Sequence, residues 1–255
     1  MSEIAANSWA VRLRALTLAR VGLGRTGVSQ QTREQLAFQR AHALARDAVH
    51  ARLETATMAE ALREICGGDV LRLHSMAVDR ATYLQRPDLG RQLDERSKAA
   101  LIGASSDTFD LAIVMADGLS ALAVERHAAA LLRELVPRLE GWRIAPLCIV
   151  EQGRVAIGDE IGQTLGAALC VVLIGERPGL SAPDSLGAYV TWAPRVGRTD
   201  AERNCISNIR AEGLSYAQAA TQLFFYLTEA RRRKLTGVAL KESSHRIGGE
   251  ATCCS

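Results

Sequence analysis

From Phe109 onward the chain repeats one pattern, and that pattern narrows the fold more than composition does. FDLAIVMA (109–116), WRIAPLCIV (142–150), ALCVVLIG (168–175) and GAYVTWA (187–193) are short apolar runs. Stretches of helical character lie between and after them. One runs from Leu119 to Leu139, one covers 158–167, and the last spans Ser215 to about Leu235. A strand without polar alternation must be shielded from water on both faces. The pattern therefore predicts an α/β fold: a mostly parallel sheet flanked by helices. Only 4% of residues are aromatic, so alanine and leucine carry the core. That usage favours helix-covered sheets over a β-sandwich.

Upstream the pattern differs. Residues 1–30 hold Arg12, Arg14, Arg20 and Arg25 against one acid, Glu3. Thr32 and Gln35 have the spacing of a capping box. A helix is expected from Thr32 to about Cys66, stopped by Gly67 and Gly68. Residues 69–103, with Pro87 and Gly90, read as short helices and turns. Two regions are expected: an N-terminal arm and helical region over 1–104, given to subunit contacts, and an α/β domain over 105–255. No internal repeat at a fixed period is seen.

Several function classes lose support at once. A net charge of +3 is too small to argue for nucleic acid, which would call for a basic patch interleaved with aromatics. No stretch approaches the ~18 apolar residues of a membrane span. The N-terminus lacks the basic-then-apolar order of a signal peptide. Six cysteines, at 66, 148, 170, 205, 253 and 254, form no C-x-x-C pair, and reduced thiols are the simplest reading.

The candidate sites are few. Gly22-Leu-Gly24-Arg-Thr-Gly27 matches a dinucleotide fingerprint, but VRLRALTLAR before it is no buried strand. A free-standing nucleotide enzyme using this loop is one alternative function. A docking protein using the basic arm is another. Asp117-Gly118 follows an apolar run, where open α/β sheets bind ligands. Asp is also a good N-cap, and that reading is preferred. Glu176 sits at the end of ALCVVLIG and opens a stiff loop, ERPGL, where a ligand role and a structural role stand level. His42 and His50 lie two turns apart and read as solvated helix residues rather than metal ligands. No G-x-S-x-G elbow is present, and Ser185 lacks its neighbours. Arg231–Lys234 closes a helix, where cations suit the dipole. The residues alone thus give a ligand crevice without a self-sufficient catalytic constellation.

Longer stretches carry a resemblance. RVGLGRTGVS with LAFQRAHALARDAVHA (20–51), LHSMAVDRATYLQRPDLGRQL (73–93), DLAIVMADGLSALAVERHA (110–128), GDEIGQTLGAALCVVLIGERPGLSAPDSLGAYVTWAPR (158–195) and AERNCISNIRAEGLSYAQAA (201–220) resemble the ethanolamine ammonia-lyase light chain. The resemblance implies a Rossmann-like light chain that joins a heavy chain in a hetero-oligomer. It implies adenosylcobalamin as cofactor, and ethanolamine converted to acetaldehyde and ammonia on the heavy chain's barrel. It also implies cofactor contacts at Val155, Glu176 and Cys205, with no catalytic acid or base on this chain. The sequence lacks D-x-H-x-x-G, which fits cobalt keeping its own nitrogenous base. A cytoplasmic location follows, inside or outside a bacterial microcompartment.

Overall fold

The computed structural model describes residues 7–17, 19–105 and 108–241. Glu3, Cys253 and Cys254 lie outside the described residues. The chain opens with helix α1 (Asn7–Leu16) and a small antiparallel hairpin, β1 (Arg25–Thr26) and β2 (Ser29–Gln30). Two helices follow, α2 (Thr32–His50) and α3 (Thr55–Cys66), where one was expected. The break tucks Leu53 into the core, and the Glu54 amide donates to Glu125 Oε1 at 2.9 Å. The Thr32–Gln35 capping box does not form. The chain leaves the hairpin still extended at Gln31, so Gln31 is the N-cap and makes no side-chain cap bond. The stop is as read: Gly67 is left-handed (φ 66°), and its amide returns to Arg63 O.

The remaining elements are β3 (Val70–His74), α4 (Arg80–Gln85), α5 (Glu95–Gly103), β4 (Phe109–Ala116), α6 (Ala121–Leu135) and β5 (Leu147–Glu151). After them come α7 (Ile157–Thr164), β6 (Ala167–Gly175), β7 (Leu186–Trp192), β8 (Arg203–Ile209) and α8 (Tyr216–Arg233). The strands form one sheet in the order β3-β5-β4-β6-β7-β8. The first four are parallel, while β7 and β8 each run antiparallel to the strand before them. The α/β class and the helix-flanked sheet are as expected.

Two details differ. The fourth apolar run, β7, is antiparallel. Residues 176–185 between β6 and β7 hold no helix, and a parallel return needs a crossover of about a dozen residues or more. Residues 69–103 do contain short helices, but Val70–His74 is a strand of the main sheet, so the sheet starts before residue 105.

The core lies on both faces of the sheet, and β4 divides it. Leu111, Ile113 and Met115 pack with residues of α3, α6 and α8. Ala112, Val114 and Ala116 pack with Leu101 of α5 and with Ile157 and Ile161 of α7. Period-two alternation sends successive side chains to opposite layers. At the carboxyl ends of β4 and β6 the backbones nearly touch. The Leu119 amide donates to Gly175 O at 2.9 Å, and a Cβ on Gly175 would fall 2.0 Å from Ser120 O. Gly175→Ala should therefore cost roughly 2–3 kcal/mol, because well-packed backbone cannot yield cheaply. Urea unfolding would show a lower midpoint at unchanged slope; an unchanged midpoint would mean the 117–120 turn gives way freely.

Candidate functional site

Asp117 directly follows β4, but it is not the cap of α6. Ser120 takes that role, its side chain accepting from the Ala123 amide. Asp117 is buried and accepts from the amides of Gln152 and Gly153, both at 3.0 Å. The Arg80 guanidinium lies 3.7 Å away and also donates to Gly118 O at 2.8 Å. The preference for an N-cap is thus corrected: a strand-end carboxylate can serve the next strand's loop instead of its own helix. Tyr83 holds the same loop from another side. Its hydroxyl donates to Gly153 O at 3.2 Å, and its ring lies against the guanidinium of Arg80 (4.7 Å) and that of Arg154 (4.1 Å). The Arg154 amide donates to Gly90 O at 2.7 Å. The segment after β5, which leads to Val155, is therefore pinned at three points.

Glu176 follows β6 directly. Its Oε2 accepts from the Ser185 hydroxyl and from the Asn208 amide, the latter at 3.2 Å. Oε1 has no donor among the described residues. The missing Cβ of Gly187 makes room for the carboxylate, since a Cβ there would lie 3.1 Å from Oε1. Gly187 and Tyr189 share one face of β7, and Tyr189 is the cross-strand partner of Cys205 on β8. Burial pushes the Tyr189 phenol well above its ordinary range, and Cys205 and Glu176 add to this. The Cys205 thiol is likewise raised, chiefly by desolvation and further by the Glu176 charge. Cys205 and Ser207 nonetheless present exposed side chains, because α7 packs over β4 and β6 on this side. Glu176, half-buried Tyr189 and exposed Cys205 thus form one cluster at the β7–β8 side of the sheet.

Val155 occupies the turn before α7. It packs against the same apolar layer as Tyr189. It also lines a cleft of 880 Å³ between the Pro87–Gln92 turn, the start of α7 and the Val196–Asp200 loop. Neither Glu176 nor Cys205 lines that cleft. The structure therefore brings two of the three expected residues together and sets Val155 at the neighbouring cleft.

The family model for the ethanolamine ammonia-lyase light chain matches residues 6–241. The ethanolamine ammonia-lyase small subunit of Pseudomonas aeruginosa strain LESB58 is 57% identical, over 97% of this chain and 92% of its own. That of Ralstonia nicotianae is 57% identical over 95% and 91%, and that of Azotobacter vinelandii 58% over 93% and 89%. This chain belongs to the ethanolamine ammonia-lyase light-chain family.

In this light chain the Gly22–Gly27 stretch does not have the setting of a nucleotide fingerprint. Helix α1 precedes it, and it runs into the exposed β1–β2 hairpin rather than joining a buried strand to a helix. Gly22 is required for packing instead: it is left-handed (φ 60°), and a Cβ would meet Ala10 at 2.7 Å. His42 and His50 are exposed, as read. His127 is buried, with Nδ1 2.9 Å from the Tyr216 hydroxyl and Asp184 nearby. The light chain's four described cysteines are free. Tyr189 escaped the sequence reading of this site, and Ser185 entered it only as a nucleophile lacking its motif. The two-residue period of GAYVTWA could have placed Tyr189 on the face of Gly187, but nothing local reveals its partner on β8.

Burial raises the Asp117 carboxyl to about 6, against the pull of two loop amides and Arg80. A carboxyl that binds its proton more tightly when folded favours the fold at low pH. That contribution is complete below the ordinary range near ~4 and is lost as pH rises through about 6. Between these limits the light chain should lose stability, relative to Asp117→Asn, by on the order of 2 kcal/mol. Parallel melts at pH 4 and 6.5 test this; an unchanged difference between parent and variant would refute it.

Proposed function

We propose that this chain is the light subunit of an adenosylcobalamin-dependent ethanolamine ammonia-lyase. With a heavy subunit it converts ethanolamine to acetaldehyde and ammonia. Its own part is to hold the cofactor at the subunit interface through Val155, Glu176 and Cys205. The family match over nearly the whole chain supports the activity. The observation that carries the site is the Glu176 carboxylate, with one oxygen anchored and the other without a donor among the described residues, beside the exposed Cys205.

The residues present suit such a group. A corrin ring is fringed with amides, whose N–H groups need acceptors, and Oε1 of Glu176 is one. Ser185 and the Asn208 amide fix that carboxylate, so little rotamer freedom is lost on binding. The exposed Cys205 beside Tyr189 offers a polarizable, weakly polar surface. Val155 offers an apolar contact on a pinned loop. When bound, the cofactor supplies radical chemistry through its cobalt–carbon bond, and the light chain orients and shields it.

Subunit contact falls to the N-terminal region in this reading. Trp9, Val11, Leu13 and Leu16 on α1, with Leu36, Phe38 and Leu44 on α2, are exposed large apolar residues. Exposed apolar patches of this kind mark interaction surfaces. Among the described residues no helix is long and apolar enough to cross a membrane. The proposed setting is the cytoplasm, with or without a microcompartment shell.

The test is co-expression with the neighbouring heavy chain, followed by ethanolamine-dependent acetaldehyde formation. Activity should require both chains. Glu176→Ala should raise the adenosylcobalamin requirement about ten- to a hundredfold, the worth of one charged hydrogen bond. Turnover by the light chain alone, or an unchanged cofactor requirement in the variant, would overturn the respective half of the proposal.

A further inference from the structure

β8 is the last strand of the sheet. Its one strand partner is β7, in a ladder irregular between Leu186 and Ala188, and a single bridge joins Ile209 to Leu214. On the α8 side it is held by Ile206 and Ile209, which enter the core. On the other side Cys205 and Ser207 are exposed. An edge strand with one bare face has little to fix its position there.

Besides the bond from the Asn208 amide to Glu176, one side chain ties β8 to α7. Arg203, two residues before Cys205, is 1% exposed at its side chain. Its guanidinium donates to both carboxylate oxygens of Asp159, at 2.7 and 2.6 Å. It also donates to Thr191 Oγ1 on β7 and to Arg198 O, both at 3.0 Å. Asp159 is itself 2% exposed and lies in the first turn of α7, four residues after Val155. The helix cannot shift away from the sheet without opening contacts at two glycines. A Cβ on Gly158 would lie 2.3 Å from Val172, and one on Gly162 would lie 2.5 Å from Pro194.

A buried pair of this kind is a poor source of net stability, because desolvation offsets the attraction. What it does supply is geometry: two parallel hydrogen bonds fix both planes. We propose that Arg203 and Asp159 are positioning residues, which set the placement of Cys205 on β8 relative to Val155 at the start of α7. The inference rests on the cofactor reading above and deepens it. Neither residue need touch the cofactor; each acts through the element it fixes.

The experiment uses the assembled heavy–light complex and hydroxocobalamin as probe, with binding read by absorbance titration. Arg203→Lys keeps the charge but not the paired hydrogen bonds. The double variant Arg203→Met with Asp159→Asn leaves no lone buried charge, so it protects the fold. Both should co-elute with the heavy chain, melt near the parent temperature, and bind hydroxocobalamin at least tenfold more weakly. Parent-like affinity in either assembled variant would overturn the proposal. So would failure of both variants to assemble, since the pair would then serve stability alone. Glu176→Ala in the same titration separates the two ideas. If it weakens binding while the pair's variants do not, only the positioning role falls. If neither weakens binding, the placement of the cofactor falls with it.

Discussion

The two-sided burial of β4 is the constraint on which the rest of the structure depends. Every residue from Leu111 to Ala116 is withdrawn from solvent. Odd-numbered side chains build the layer with α3, α6 and α8, and even-numbered ones the layer with α5 and α7. A strand in this position must have helices on both faces and strands on both sides. Its carboxyl end is then fixed as well, and the close approach of Gly175 to Ser120 follows from that packing.

The strand ends convert this rigidity into a site. Asp117 gives its carboxylate to the loop after β5, and Tyr83 and Arg80 close around the same loop through Gly153 O and the Gln152 side chain. Ser185 and Asn208 do the same for Glu176. These buried or half-buried hydrogen bonds act as pins, while Oε1 of Glu176 and Nη2 of Arg80 are left without partners among the described residues. On the side facing α7 the cover reaches Thr191 and Arg203, while among the described residues Tyr189 stays half-buried and Cys205 exposed. An incomplete cover suits a subunit better than a self-contained enzyme, and the light-chain family membership agrees with it.

Legibility in the sequence followed position in the sheet. The central strands β4 and β6 were found almost to the residue, because burial on both faces demands unbroken apolar runs. Of the six-stranded sheet, the two strands that escaped, β3 and β8, are the two edges. VLRLH and RNCISNI bury only part of their surface and can carry polar residues. Glu176 was visible as a strand-end carboxylate. Cys205 and Val155 came only from resemblance, since one lies on an unrecognised edge strand and the other in a turn without local signature.

The sequence by itself determined the fold class, the helix stops at Gly67 and beyond Arg233, and the family, since these rest on local periodicity, turn chemistry and continuous residue identity. Only the tertiary structure decided which polar residues act together. Asp117 meets a loop 35 residues away, Arg203 meets Asp159 across 44, and Glu176 meets the Asn208 amide across 32. Such pairings depend on strand order and on which face a side chain occupies. Neither is written in local spacing, because sheet neighbours are chosen by packing across the whole domain.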